Sequence, residues 1–274
     1  MRRSLLLGVW LLLVAWASLG GAEDERSFFD GKTITYVVAT KPGGGYDTYA
    51  RLIAPYLQKY LPGSQVVVRN VPGAGHIIAT NQVYAAPPDG LTLITFNTGL
   101  IYAQLLEREG IQFDLRRMSW IGKAAADPRV LVVGVDTPFS SVEALRGSPE
   151  PILLATSGVG SASHNESMLL QAALGFEAKL IPGYGGGEAE MAVLRGEVAG
   201  MLGSLSSLRP YVERGQGRYL LRVGGGKAQL PSVPDAAGLT SSEKGRALIA
   251  LMAAQAELGR LTAAPPGVPA PRLA

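Results

Sequence analysis

Four times in this chain an aliphatic or β-branched run ends in a glycine-rich turn that opens onto a helical pattern. The turns read KPGGGYD at 41–47, NVPGAGH at 70–76, TSGVGSASH at 156–164 and IPGYGGGE at 181–188. Glycine accepts positive φ and lets a ligand approach the main chain closely. The first N–H groups of a helix have no intrahelical partner and carry the positive end of its dipole, so a loop of this design suits an oxyanion. A single such turn needs no function beyond joining a strand to a helix. Four of them, two in each half of the chain, predict a cleft that holds an anion between two lobes.

Other side chains in these loops have more than one use. Asp47 sits where a carboxylate can accept N–H bonds at a helix start, or form an i,i+4 pair with Arg51. Both histidines, His76 and His164, follow a glycine turn, where each can bond a ligand or cap its own helix. Tyr46 and Tyr184 sit within glycine runs and can wall a cleft. Lys41 can attract an acid or simply be solvated. No Gly-x-Ser-x-Gly elbow, phosphate loop ending in Gly-Lys-Ser/Thr or full dinucleotide fingerprint occurs, and neither histidine has a metal-ligand cluster around it. No enzymatic activity, cofactor or metal is expected.

The elements that must position these loops alternate strand and helix. Strands are predicted at Thr33–Ala39, Gln65–Arg69, Leu91–Phe96, Val130–Val135, Pro151–Thr156, Lys179–Ile181, Val198–Leu202 and Tyr219–Val223, from β-branched runs closed by turn residues. Helices are predicted at Asp47–Tyr60, Ile77–Ala85, Ser163–Leu174 and Glu188–Arg195. Repeated β-loop-α units call for mostly parallel sheets covered by helices on both faces. The expected division is a signal peptide at 1–22, lobe one at 23–126, lobe two at 127–218, and a return segment at 219–274 set mainly on lobe one.

The first 22 residues place Arg2 and Arg3 before an apolar run from Leu5 to Ala17, then small residues up to Ala22. That is the layout of a secretory signal peptide, and the apolar run falls short of the roughly 20 residues needed to span a bilayer. Removing it lowers Lys+Arg from 25 to 23 against 22 acids, leaving a charge of about +1 with no electrostatic footprint for nucleic acid. Cysteine is absent, which excludes disulfides, thiolate chemistry and a lipid-modified N-terminal cysteine.

Beyond these patterns the chain resembles a known family. The run ITYVVATKPGGGYDTYARLIAPYLQKYLPGSQVVVRNVPGAGHIIATNQVYAAPPDGLTL, followed by FDLRRMSWIGK, PFSSVEALR, GVGSASH, IPGYGGGEAEMAVLRGEVAGML, LPSVPD and ELGRLTAAPPGVPAPR, is similar to the receptors of tripartite tricarboxylate transporters, the Bug-type solute-binding proteins. The resemblance implies an α/β, two-lobed, type II periplasmic-binding-protein-like fold. It further implies a monomer that closes on a small carboxylate and serves integral membrane transporter subunits from the periplasm. By motif it implies ligand contacts at Gly43, Gly44, Gly45, Tyr46 and Asp47, and at Gly73, Ala74 and Gly75 of lobe one. In lobe two it implies contacts at Thr156, Ser157, Gly160, Ser161, Ser163, His164 and Tyr184. Relatives continue past the segment matching PGVPAPRLA into a terminal helix that packs on a lobe, so exposed apolar surface is expected here. A ligand-sensing co-receptor, or a hydrolase using Ser161 and His164, are the alternative readings.

Overall fold

A computed structural model describes residues 27–225 and 230–273, so the proposed signal peptide lies outside the described residues. The chain opens with β1 (Thr33–Val38), α1 (Gly45–Tyr60), β2 (Gln65–Asn70), α2 (Ile77–Tyr84), β3 (Thr92–Phe96), α3 (Gly99–Leu105) and β4 (Ser119–Lys123). It crosses over and continues through β5 (Arg129–Gly134), α4 (Val142–Arg146), β6 (Ile152–Thr156), α5 (Ala162–Leu174), β7 (Ala178–Pro182) and α6 (Glu188–Leu194). There follow β8 (Gly200–Ser204), α7 (Leu205–Glu213), β9 (Gly217–Val223) and α8 (Glu243–Ala256), and the chain returns as β10 (Leu261–Ala264).

Two five-stranded sheets result, ordered β2-β1-β3-β10-β4 and β7-β6-β8-β5-β9. The two orders are the same pattern. In each, three parallel strands come from one lobe's own β-loop-α units, and the fourth, antiparallel strand has just crossed from the other lobe. The parallel strands aim their carboxyl ends, with the glycine turns, at the space between the lobes. Ligands of open α/β sheets bind in that position.

The crossover strand β5 shows why such runs read as continuously apolar. Leu131 and Val133 face one core with Leu154, Leu170, Leu221 and Met252, while Val130 and Val132 face another with Met201, Leu208 and Tyr211. A strand covered by helices on both faces has no polar side to show. In lobe one, β1 divides likewise, sending Ile34, Tyr36 and Val38 to one cluster and Val37 to the other.

The return segment is distributed differently from the expectation. β9 pairs with β5, and α8 buries Ile249 and Met252 in the core of lobe two, so both elements belong there. The run RYLLRV forms the edge strand beside β5, with Leu220, Leu221 and Val223 buried. On lobe one, β10 fills the slot between β3 and β4. An apolar groove of about 520 Å³ lies beside it, bordered by Tyr56, Tyr60, Leu93, Ile121 and Leu273.

Candidate functional site

The lobes enclose a cleft of about 640 Å³. Its lobe-one wall starts at the N-terminus of α1, where Gly44 is the N-cap and no side chain caps the helix. Gly44, Gly45 and Tyr46 line the cleft there. Gly43 and Asp47 stand behind the wall. Asp47 is buried, accepting from Gly43 N and Arg51 Nε at 3.0 Å each and from Asn70 Nδ2 at 2.9 Å. It therefore ties the loop to the end of β2, and its oxygens are spent on protein donors. Asp47, expected as a ligand contact, does not border the cleft.

The second loop is strained. Gly73, Ala74, Gly75 and His76 all take positive φ, at 143°, 45°, 62° and 82°. Left-handed geometry at a residue with a Cβ costs about 1–2 kcal/mol, so Ala74 and His76 must be held by their surroundings. His76 is held by a 2.7 Å bond from Nδ1 to the Ala39 carbonyl, which places the proton on Nδ1. Gly73, Ala74, Gly75 and His76 all border the cleft.

Burial pushes the His76 imidazole below the ordinary histidine range, against the Ala39 carbonyl, which favours the charged ring. The native protein thus refuses a proton that the unfolded chain accepts below about pH 6.5. Stability is complete above that range and falls as pH drops, by up to about 1.4 kcal/mol per unit for each such group. Denaturant unfolding at pH 7.5 and 5.5 is expected to show this fall. A His76→Asn variant, whose side chain tolerates left-handed φ, is expected to show a shallower one. An unchanged slope would remove His76 as its source. His164, also lowered by partial burial and by the Arg108 charge, keeps the residual slope above zero.

Lobe two contributes Thr156, Ser157, Ser161, Ser163 and Tyr184 to the wall, while Gly160 and His164 lie behind it. Ser161 is the N-cap of α5 and accepts from His164 N at 3.3 Å. Ser163 Oγ accepts from Ser157 N at 3.0 Å. His164 Nδ1 lies 3.4 Å from Thr156 Oγ1, and no hydrogen bond joins the His164 ring to Ser161. The arrangement is a set of polar caps, with no Ser-His nucleophile in it.

Charged side chains that the loop motifs did not reveal also reach the cleft: Arg108, Arg129, Glu190 and Arg260. Lys41, left open in sequence, pairs across the cleft with Glu188 at 2.7 Å. Arg260 lies at the crossover, donating to Asp127 at 3.0 Å and Ser204 at 2.7 Å, with its guanidinium 4.8 Å from the Tyr46 ring centre. None of these stands in a recognisable local pattern, and only the fold brings them together. Among the described residues no cluster of three metal-ligating side chains occurs, and no helix is long and apolar enough to cross a membrane.

Comparison with known proteins agrees with this geometry. Residues 49–261 match the family model described as tripartite tricarboxylate transporter family receptor. A protein encoded in the tcbD-tcbE intergenic region of Pseudomonas sp. (strain P51) is 33% identical over 251 residues, covering 88% of this chain and 73% of that one. The solved structure of the periplasmic binding protein BugD superposes with a TM-score of 0.75 at 26% identity, covering 88% of this chain and 79% of that one. MatC from Rhodopseudomonas palustris, solved with bound malate, gives 0.74 at 25% identity, covering 88% and 81%.

Proposed function

The chain belongs to the receptor family of tripartite tricarboxylate transporters, and from that premise we propose that it captures a small carboxylate in the periplasm for membrane transporter subunits. The family is one of solute-binding receptors, and catalysis is not its task. The observation that carries the ligand class is the uncapped N-terminus of α1, a sixteen-residue helix whose first turn lines the cleft opposite the serine-rich loop of lobe two. An oxyanion there takes N–H bonds that nothing else supplies, in the favourable field of the helix. The backbone of Gly44, Gly45 and Tyr46 would hold one end of the acid. The polar edge formed by Thr156, Ser157, Ser161 and Ser163 would face the rest. MatC, with malate in the same fold, supports a ligand of this size. Export through residues 1–22 and action as a monomer complete the proposal.

A ligand can favour the closed lobes only through higher affinity for them than for the open ones. Binding should then stabilise the protein by about 2.7 kcal/mol at a hundred times Kd, or roughly 5–10 °C in Tm for a chain of this length. The test is a thermal-shift screen of the mature protein against malate, succinate, adipate, citrate, neutral sugars and amino acids. A shift with at least one carboxylate and none with neutral sugars is expected. A shift only with neutral sugars would reject the reading. Loss of acid uptake on deletion of the gene checks the transport role.

A further inference from the structure

Four Lys and Arg side chains line the cleft, and three of them are already neutralised. Lys41 faces Glu188 at 2.7 Å, Arg129 faces Glu166 at 2.6 Å, and Arg260 faces Asp127 at 3.0 Å. A ligand carboxylate pairing with any of these would share the cation with a resident carboxylate. Arg108 differs. It makes one donation from Nη1 to the Val159 carbonyl at 3.2 Å, and no acid among the described residues pairs with it. A guanidinium has five N–H donors and suits a planar carboxylate, so most of its capacity is unspent.

The position of Arg108 is fixed from both sides. It follows α3, whose end is a Schellman motif: Arg108 N donates to Ala103 O at 3.0 Å and Glu107 N to Gln104 O at 3.1 Å. Glu107 holds the left-handed place of that motif at φ 48°, where glycine is usual. From this base in lobe one the side chain reaches across to lobe two, over Gly160. A Cβ at Gly160 would fall on the guanidinium itself, and Gly160 has φ 81°, so a larger residue would be strained and would displace the arginine arm. The charge is felt there, since it helps lower the His164 imidazole. Gly160, expected as a ligand contact, is instead the seat of an arginine arm that lines the cleft.

We infer that Arg108 is a specificity-determining residue, pairing with a second carboxylate on the ligand and so selecting diacids over monoacids of equal length. This rests on the receptor reading above. It places one end of the ligand at the amides of α1 and the other against Arg108 beside the Val159–Ser161 turn. Glu190, the one acid among the residues lining the cleft, has an unpartnered buried oxygen and is pushed up by burial. It carries no positive charge in either protonation state, which leaves Arg108 as the available cation.

The experiment is isothermal titration of wild type, Arg108→Gln and Arg108→Lys with succinate, glutarate and adipate. Each diacid is paired with its monoacid, butyrate, pentanoate or hexanoate. The readout is the ratio of the two Kd values within each pair, with the melting temperature of the free proteins confirming that the variants fold. Wild type is expected to prefer at least one diacid strongly. Arg108→Gln should cut that preference by roughly tenfold to a hundredfold, with Arg108→Lys in between, as befits a charge-assisted bidentate contact. Equal weakening of both members of each pair would show that Arg108 only latches the lobes, and the inference would be wrong. So would a wild type that binds monoacids as tightly as diacids. If wild type bound no acid of either kind, the receptor reading would fall first and this inference with it.

Discussion

Adding one methyl group at position 99 is expected to weaken carboxylate binding by roughly tenfold to a hundredfold without unfolding either lobe, the range set by about 1–3 kcal/mol of overpacking. Gly99 begins α3 in lobe one, and a Cβ there would lie 2.5 Å from the amide nitrogen and 3.0 Å from the Cα of Ala162, the first residue of α5 in lobe two. A side chain can turn aside, but a helix backbone cannot. The lobes would have to part. The remaining close neighbour, Asn97 Oδ1 at 2.9 Å, belongs to the same lobe and is the end of a side chain. Alanine also costs a helix less than glycine does. The melting temperature of ligand-free Gly99→Ala should therefore match or exceed that of wild type, while titration shows the loss. Wild-type affinity in this variant would mean that the ligand is held with the lobes further apart than they stand here.

Gly99 changes how the glycines of this chain are understood. In sequence they stand out as places where a ligand meets main-chain amides, and Gly44 and Gly45 do line the cleft. Several others are contact points between the lobes. A Cβ at Gly75 would lie 2.9 Å from Val159 O, and Gly186, at φ 60°, presses against Pro42 O across the cleft. Local spacing identifies a strand-turn-helix unit. It does not say whether the missing side chain makes room for a ligand or for the other lobe, because that depends on residues 63 to 144 positions away.

The same limit explains what was legible of the fold. Among the eight strands and four helices evident in sequence, β5 (RVLVVG) is an apolar run buried on both faces and α1 is a long amphipathic stretch. β4 and β10 were not evident. β4 is an edge strand with its side chains largely exposed, and β10 has only four residues, so neither shows an alternating pattern. α7 contains Pro210, which masked it, although its Leu205, Leu208 and Tyr211 are buried. The strand β10 also decides the topology, since it returns the chain to lobe one and makes the two sheets alike. Arg108, Arg129 and Arg260 were hidden for a related reason. Each is an isolated cation whose position in the cleft is created by a helix end or a crossover.

Arg129 and its partner give the largest stability change expected from a single substitution. Glu166 on α5 is fully buried, and one of its oxygens receives both Arg129 Nε at 2.7 Å and Arg129 Nη2 at 2.6 Å. Arg129 itself is only 13% exposed, at the start of the crossover strand β5. Breaking such a pair from one side leaves a buried charge without compensation, at a cost of about 3–5 kcal/mol. Glu166→Leu should accordingly lower Tm by roughly 6–20 °C, at 2–4 °C per kcal/mol for a chain of this size. The double variant Arg129→Met/Glu166→Leu removes both charges and should recover most of that loss, because apolar residues of similar volume often replace a buried ion pair without penalty. If the double variant were as unstable as the single one, packing at Glu166 rather than charge would be responsible. The recovered protein also separates stability from binding. Arg129 borders the cleft while Glu166 does not, so a double variant that melts like wild type but binds acid weakly would show that the pair also fixes a cation where the ligand lies.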